Sequence, residues 1–221
     1  DKHYVTPKTS AEDTTWNHVQ FYTGERVKKV TKWEALETAV DSFLSSVEAQ
    51  NNAIDGTENG HKVALVKFAG EKTDKIGNGT YKDDDYTYNY TQIVNNLTDN
   101  ISSVKYSLGN IDPAGATSAD YGLEHAQSVL NQSREDAEKV VVFFTDGEPN
   151  HGNGFDGSVA KKAIEEANDM KDEGVTIYTV GVFPGASTNI TWDDDEDSQM
   201  NRYMHAISSN YPDATGYRKQ D

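Results

Sequence analysis

An apolar run, Lys139 to Thr145 (KVVVFFT), stops abruptly at Asp146-Gly147-Glu148-Pro149. A polar residue just beyond a buried strand faces the crevice outside the carboxyl ends of an open α/β sheet, where ligands of such folds bind. With Gly147 permitting a tight turn and Pro149 fixing one, the Asp146 carboxylate can reach a hard cation there. The plainer use of the same residue is to cap its own turn. A second candidate, Thr117, lies in Gly115-Ala116-Thr117-Ser118-Ala119-Asp120. Small residues let the backbone approach a ligand, and a helix beginning there supplies oriented N–H groups. The Thr117 hydroxyl is a neutral oxygen ligand suited to Mg2+ or Ca2+. As an N-cap or first-turn residue it would serve the helix alone.

Other patterns carry less. Gly152-Asn153-Gly154-Phe155-Asp156-Gly157 fits G-x-G-x-x-G, but it starts several residues beyond its strand, and that strand is not the first. Asp193, Asp195 and Asp197 alternate as in a calcium loop, yet Ser198 stands where glycine and Met204 where glutamate is required. Asn-x-Ser/Thr at Asn78, Asn89, Asn96, Asn100, Asn131 and Asn189 would accept glycans only in a eukaryotic secreted chain. Neither G-x-S-x-G, H-E-x-x-H nor a phosphate-binding loop occurs, and the histidines lack metal-ligand spacing. His125 and His205 are expected at the surface or its boundary.

The elements that must position Thr117 and Asp146 follow from hydrophobic periodicity. Trp33, Leu36, Ala39, Val40, Phe43, Leu44 and Val47 recur at spacings of three and four, which predicts an amphipathic helix over 32–50. His61 to Gly70 reads as a buried strand, followed by a polar excursion over 71–89 with room for a hairpin. Ile93, Val94, Leu97, Ile101 and Val104 predict one helix within 90–108, and another begins near Thr117 and runs to Leu130. Lys139 to Thr145 is apolar on both faces, as a central parallel strand covered by helices should be. A helix over 158–173, a strand over 175–183 and a last helix over 199–209 complete the pattern. Strands alternating with helices predict a doubly wound, mostly parallel α/β sheet with helices on both faces.

The chain has 221 residues, enough for one domain: a polar excursion over 1–31 and a body over 32–215. Hydrophobic residues make up 35 % and mean hydropathy is −0.78, yet 10 % aromatic residues argue for a real core. A net charge of −17 disfavours nucleic acid and anionic lipid, and favours cations or basic ligands. The absence of cysteine excludes disulfides, thiolate zinc sites and cysteine nucleophiles. Runs such as Val140 to Phe144 fall far short of the ~20 residues that span a bilayer, which predicts a soluble chain with any export or anchoring signal outside it.

The segments WEALETAVDSFLSSV (33–47), KVALVKFA (62–69), AGATSADYGL (114–123), VVVFFTDGEP (140–149) and KDEGVTIYTVGV (171–182) together resemble the von Willebrand factor A domains. The form is that found in surface proteins and pilus adhesins of Gram-positive bacteria, and NRYMHAISSN (201–210) is similar to the family's last helix. The resemblance implies a metal-ion-dependent adhesion site, in which an Asp-x-Ser-x-Ser motif, a loop threonine and a later aspartate hold a divalent cation. That cation is usually Mg2+, with Ca2+ or Mn2+ as alternatives. By this resemblance Thr117 is the threonine and Asp146 the aspartate, while Gly115, Ala116, Gly147 and Glu148 are expected to face the ligand. No apolar strand ending in Asp-x-Ser-x-Ser is present, although the family carries it immediately before the first helix. The expectation is therefore a fragment lacking its first strand and exposing what packs against it; the alternative is a diverged domain that has lost its site.

The implied function is non-enzymatic adhesion, in which the metal meets an acidic group of a host, extracellular-matrix or other surface protein. The implied location is the cell wall or pilus of a Gram-positive bacterium. Tyr81 to Tyr90 and Asn150 to Gly157 are the expected ligand-facing excursions. The competing readings are a metal-free structural A-type domain and an intracellular chelatase-type subunit of the same fold.

Overall fold

A computed structural model describes residues 18–23, 26–54, 60–74, 76–183, 185–192 and 196–218. The opening residues 1–17 and the acidic positions 193–195 lie outside these. The chain enters through β1 (His18–Thr23) and β2 (Arg26–Thr31), which pair antiparallel with each other, His18 opposite Thr31. The polar excursion expected over 1–31 thus contains a hairpin. Its strands join no other strand among the described residues.

Helix α1 (Lys32–Ala53) starts at a capping box: Glu34 N–H donates to Thr31 Oγ1 at 3.1 Å and Thr31 N–H to Glu34 Oε2 at 2.6 Å. Its stripe of Trp33, Val40, Leu44 and Val47 gathers with Ile101, Val104 and Leu108 and with Val63 and Leu65 of β3 (Val63–Lys67) in one small core. A hairpin follows, β4 (Thr80–Asp83) and β5 (Tyr86–Asn89), turning through Asp84 at φ 50°.

The single helix expected within 90–108 is two elements, β6 (Gln92–Thr98) and α2 (Ile101–Leu108). β-Branched Ile93 and Val94 suit the strand that pairs antiparallel with β3, Val66 opposite Ile93, and spacing alone does not separate the two states. Asn100 then caps α2 by accepting from Ser103 N–H at 3.1 Å, and Ile101, Val104 and Leu108 close the first core against α1.

The larger core lies on the other side. It is built by α3 (Ala119–Leu130), β7 (Val140–Thr145), α4 (Gly157–Asp172), β8 (Thr176–Gly181) and α5 (Glu196–Ile207). Ala160, Ala163 and Ala167 are fully buried, and small residues there let neighbouring elements close around Leu123, Phe143, Met170, Ile177, Tyr203 and Ile207. Strands β7 and β8 run parallel, Val140 opposite Thr176 through Thr145 opposite Gly181.

The fold is α/β, as the periodicity predicts, but β7 is not flanked on both sides. The described strands form separate pairs, β3 with β6 and β7 with β8, and neither β3 nor β7 has a partner on its other edge. Val140 is accordingly exposed. Phe68, just past β3, stacks on Phe143 with ring centroids 5.0 Å apart, which ties the end of β3 to the larger core. No helix among the described residues is long and apolar enough to cross a membrane.

Gly122 lets α3 meet the chain after β3: a Cβ there would stand 2.7 Å from the Cβ of Phe68. Gly122→Ala is expected to lower stability by about 1–3 kcal/mol through overpacking, read as a lower urea midpoint at unchanged slope.

Candidate functional site

β3 and β7 end at one rim. Ser118 N–H donates to the carbonyl of Ala69, just past β3, at 2.9 Å. Thr117 and Asn150 exchange backbone hydrogen bonds of 3.1 and 3.0 Å, which ties the loop before α3 to the loop after β7. The Thr117 hydroxyl lies 3.3 Å from where a Cβ would stand on Gly147. The structure therefore brings Thr117 beside the residue that follows Asp146, at the carboxyl ends of two strands.

Local chemistry explains each placement. Thr145 Oγ1 accepts from Gly147 N–H at 3.3 Å and donates to Gly147 C=O at 3.0 Å, folding the chain sharply so that Asp146 stands exposed at the tip. Its carbonyl accepts from Lys32 Nζ at 3.4 Å, which brings the start of α1 to the same rim. Glu148 is half-buried, and its carbonyl accepts from Asn150 Nδ2 at 2.7 Å. Gly115 adopts φ 112°, and a Cβ there would meet Tyr88 at 2.7 Å, so this turn of the loop requires glycine. Ala116 follows it, half-buried.

Thr117 is not the N-cap. Ser118 takes that position and its side chain makes no capping bond; the Ser118 backbone is committed to Ala69 instead. Neither the Thr117 hydroxyl nor the Asp146 carboxylate makes a hydrogen bond with the described residues, so both oxygens stand free at the rim. They are the hard donors an Mg2+ or Ca2+ ion takes, but two ligands fill only part of such a shell. Among the described residues no group of three or more His, Asp or Glu side chains could hold a metal. Any ion here would depend on neutral oxygens, water and groups beyond these two.

Two supports escaped sequence reasoning. Lys67 is buried, and its Nζ donates to Asn78 Oδ1 at 2.6 Å, Gly79 C=O at 3.0 Å and Asn89 Oδ1 at 3.2 Å. Asn89 in turn donates to the Asp112 carbonyl at 2.7 Å, and its backbone N–H to Ala114 C=O at 2.9 Å, propping the loop that carries Thr117. A lysine inside the apolar run KVALVKFA was the available signal. The second support is His151, whose Nε2 lies 3.1 Å from Oδ1 of buried Asp120 while its ring stacks on Tyr121. It pins the loop after β7 to α3.

Other expectations resolve structurally. Asp156 is the N-cap of α4, accepting from the Ser158 hydroxyl and from the Ser158 and Val159 N–H groups, and these bonds, the hydroxyl's first, hold its carboxyl below the usual carboxylate range. The G-x-G-x-x-G pattern is therefore a loop and a cap. His125 is half-buried with Nε2 3.1 Å from Thr91 C=O. His205, expected at the surface or boundary, is a core residue: it is buried, stacks on Tyr211 at 3.8 Å and meets Ser187 C=O at 3.1 Å. Burial lowers its tendency to take a proton. The Tyr81–Tyr90 excursion stacks Tyr81 on Tyr88 and leaves Tyr86 exposed.

The von Willebrand factor type A domain model matches residues 29–220. The chain belongs to that family. No curated protein matches it. Among solved structures it is similar to proximal thread matrix protein 1 of the mussel byssus, described with a zinc-occupied MIDAS motif, at 18 % identity and TM-score 0.50. That match covers 81 % of this chain and 37 % of the mussel protein. It is also similar to the pilus adhesin SpaC of Lactobacillus rhamnosus GG, in an open conformation, at 19 % identity and TM-score 0.52, covering 82 % of this chain and 25 % of the adhesin. The chain thus spans only a minor part of either protein, and the likeness is one of fold.

Burial pushes the Lys67 amine down to about 8 from an ordinary 10.5. Between those values the unfolded chain binds the proton that the folded one has released, so folding stability should rise with pH across that window. Urea titrations from pH 7.5 to 10.5 are expected to show this rise in the wild type and a flatter profile in Lys67→Met.

Proposed function

We propose that this domain is a non-enzymatic adhesion or protein-binding module that engages its partner through a divalent cation at the rim. The observation that carries the reading is the approach of the Thr117 hydroxyl to Gly147, the residue next to Asp146, with neither side-chain oxygen hydrogen-bonded to the described residues. Family membership supports it, since the sequence resemblance to that family is what assigns a metal-binding role to Thr117 and Asp146. Thr117 and Asp146 would hold Mg2+, or Ca2+ or Mn2+ in its place, and Gly115, Ala116, Gly147 and Glu148 would border the ligand. A bound hard cation supplies one open position for an acidic group of the partner. This chain's residues orient that position and keep its approach open, with Asp146 at the exposed tip. The net charge of −17 raises the local concentration of cations around the domain.

The partner on this reading is a host, extracellular-matrix or neighbouring surface protein, met at the cell wall or pilus of a Gram-positive bacterium. The likeness to a pilus adhesin is in keeping with that setting.

Calorimetric titration of Mg2+ into the domain tests the site. Binding is expected in the wild type, with loss of both binding and cation-dependent adhesion in Asp146→Ala and weakening in Thr117→Ala. Adhesion that stays cation-dependent in Asp146→Ala would overturn the assignment, and a wild type that binds no cation would favour a metal-free structural domain.

A further inference from the structure

Asn-Gly pairs occur in the chain at 59–60, 78–79 and 153–154. Asn59 lies outside the described residues. In such a pair the glycine nitrogen can approach the preceding side-chain amide closely, because glycine has no Cβ to hinder it. Whether it does so depends on what else holds the atoms concerned. At 78–79 each is held: Asn78 Oδ1 accepts from Lys67 Nζ at 2.6 Å, Asn78 Nδ2 donates to Asn110 C=O at 2.8 Å, and Gly79 N–H donates to Gln92 Oε1 at 2.7 Å. At 153–154 none is: neither the Asn153 amide nor the Gly154 N–H makes a hydrogen bond with the described residues. Both asparagines are exposed, so access to water does not separate them. Gly154 adopts φ 70°, and the places where a Cβ would stand on Gly152 and Gly154 are open for 4 Å. The loop is tied down on both sides of this tip, by Asn150 on Thr117, by His151 on Asp120 and by Asp156 N–H on Pro149 C=O at 2.8 Å. The Phe155 ring packs against Tyr203 and Tyr217. Residues 152–154 are therefore left to change shape without loosening those ties.

We propose that Asn153 is a site of spontaneous deamidation, which converts a neutral amide on the loop after β7 into a carboxylate. The Gly154 nitrogen gives its proton to water and attacks Asn153 Cγ. The Cγ–Nδ2 bond breaks, and ammonia leaves carrying a proton returned by water, so that a five-membered succinimide remains. Water then opens the ring. Attack at Cγ restores the main chain with an aspartyl residue, whereas attack at the α carbonyl leaves an isoaspartyl residue whose main chain runs through the side chain and is longer by one carbon. No oxidant, metal or enzyme is required. The Gly147 N–H, by contrast, is spent on Thr145 Oγ1 at 3.3 Å, which holds back the corresponding ring closure at Asp146. Position 153 lies just past Asn150, the backbone partner of Thr117, so each converted molecule carries one more hard oxygen group on the loop beside the rim. The inference stands whether or not a cation binds there.

The test incubates the folded chain at pH 8.5 and 37 °C, beside the same chain unfolded in urea, and follows both asparagines by peptide mapping with mass spectrometry. In the folded chain, conversion of amide to acid is expected to run at least about tenfold faster at Asn153 than at Asn78, because reaction at Asn78 waits on local opening. Unfolding is expected to bring the two rates together. Conversion at 153 is expected to yield aspartyl and isoaspartyl products side by side, and to be lost in Asn153→Gln, whose longer side chain would have to close a six-membered ring, at unchanged unfolding temperature. An Asn153 that stays intact in the folded chain while it converts in urea would overturn the proposal. So would equal rates at Asn78 and Asn153 in the folded chain, or an aspartyl product alone, which marks direct hydrolysis of the amide.

Discussion

Three backbone hydrogen bonds at the rim hold the site together: Ser118 to Ala69, and the reciprocal pair between Thr117 and Asn150. They join the exits of β3 and β7 to the entrance of α3, three segments far apart in sequence. Backbone bonds of this kind set position without dictating side-chain type, so the Thr117 hydroxyl and the Asp146 carboxylate stay available for a ligand. The side chains nearby serve the clamp. Lys67 and Asn89 brace the loop before Thr117 from one side, and the His151–Asp120 pair braces the loop after Asp146 from the other. Gly115 allows Tyr88 to press against the turn. Rigid placement of two oxygens by such supports is what a binding site of hard donors requires.

Much of this fold was legible because its elements bury one clear stripe or one full run. The stripe Trp33, Val40, Leu44 and Val47 marks α1, and KVVVFFT marks β7. Legibility failed where two states share a spacing. Ile93, Val94 and Leu97 fit a helix as well as a strand, and pairing with β3, a tertiary fact, decided for the strand. It failed again where environment outweighs residue type: His205 is a core residue only because Tyr211 and Ser187 lie against it. Thr117 and Asp146 could be singled out because each stands at the junction of an apolar element and a tight turn. Their bracing could not, since Lys67, Asn78 and Asn89 are brought together by folding alone.

The two cores are unequally finished. α4 buries six of its residues in 16, whereas α1 buries only Leu44 in 22, and its inner stripe looks partly onto an open cleft between β3 and β7. α1 is held mainly by its capping box, by α2 and by salt-linked contacts such as Glu48 with Lys105 at 2.9 Å, a pair of modest worth at the surface. Local stability follows burial, so the α1, β3 and α2 half opens more readily than the α3–α5 half.

That inequality has a mechanical meaning. A pull on the chain's amino-terminal side is carried first by the hairpin and α1, the most lightly seated helix of the domain. α1 would peel away while the packed unit around Ile177 and Tyr203 still held its shape. Thr117 and Asp146 both lie on the side of α3 and β7, so the rim oxygens would keep their spacing after the first element had yielded.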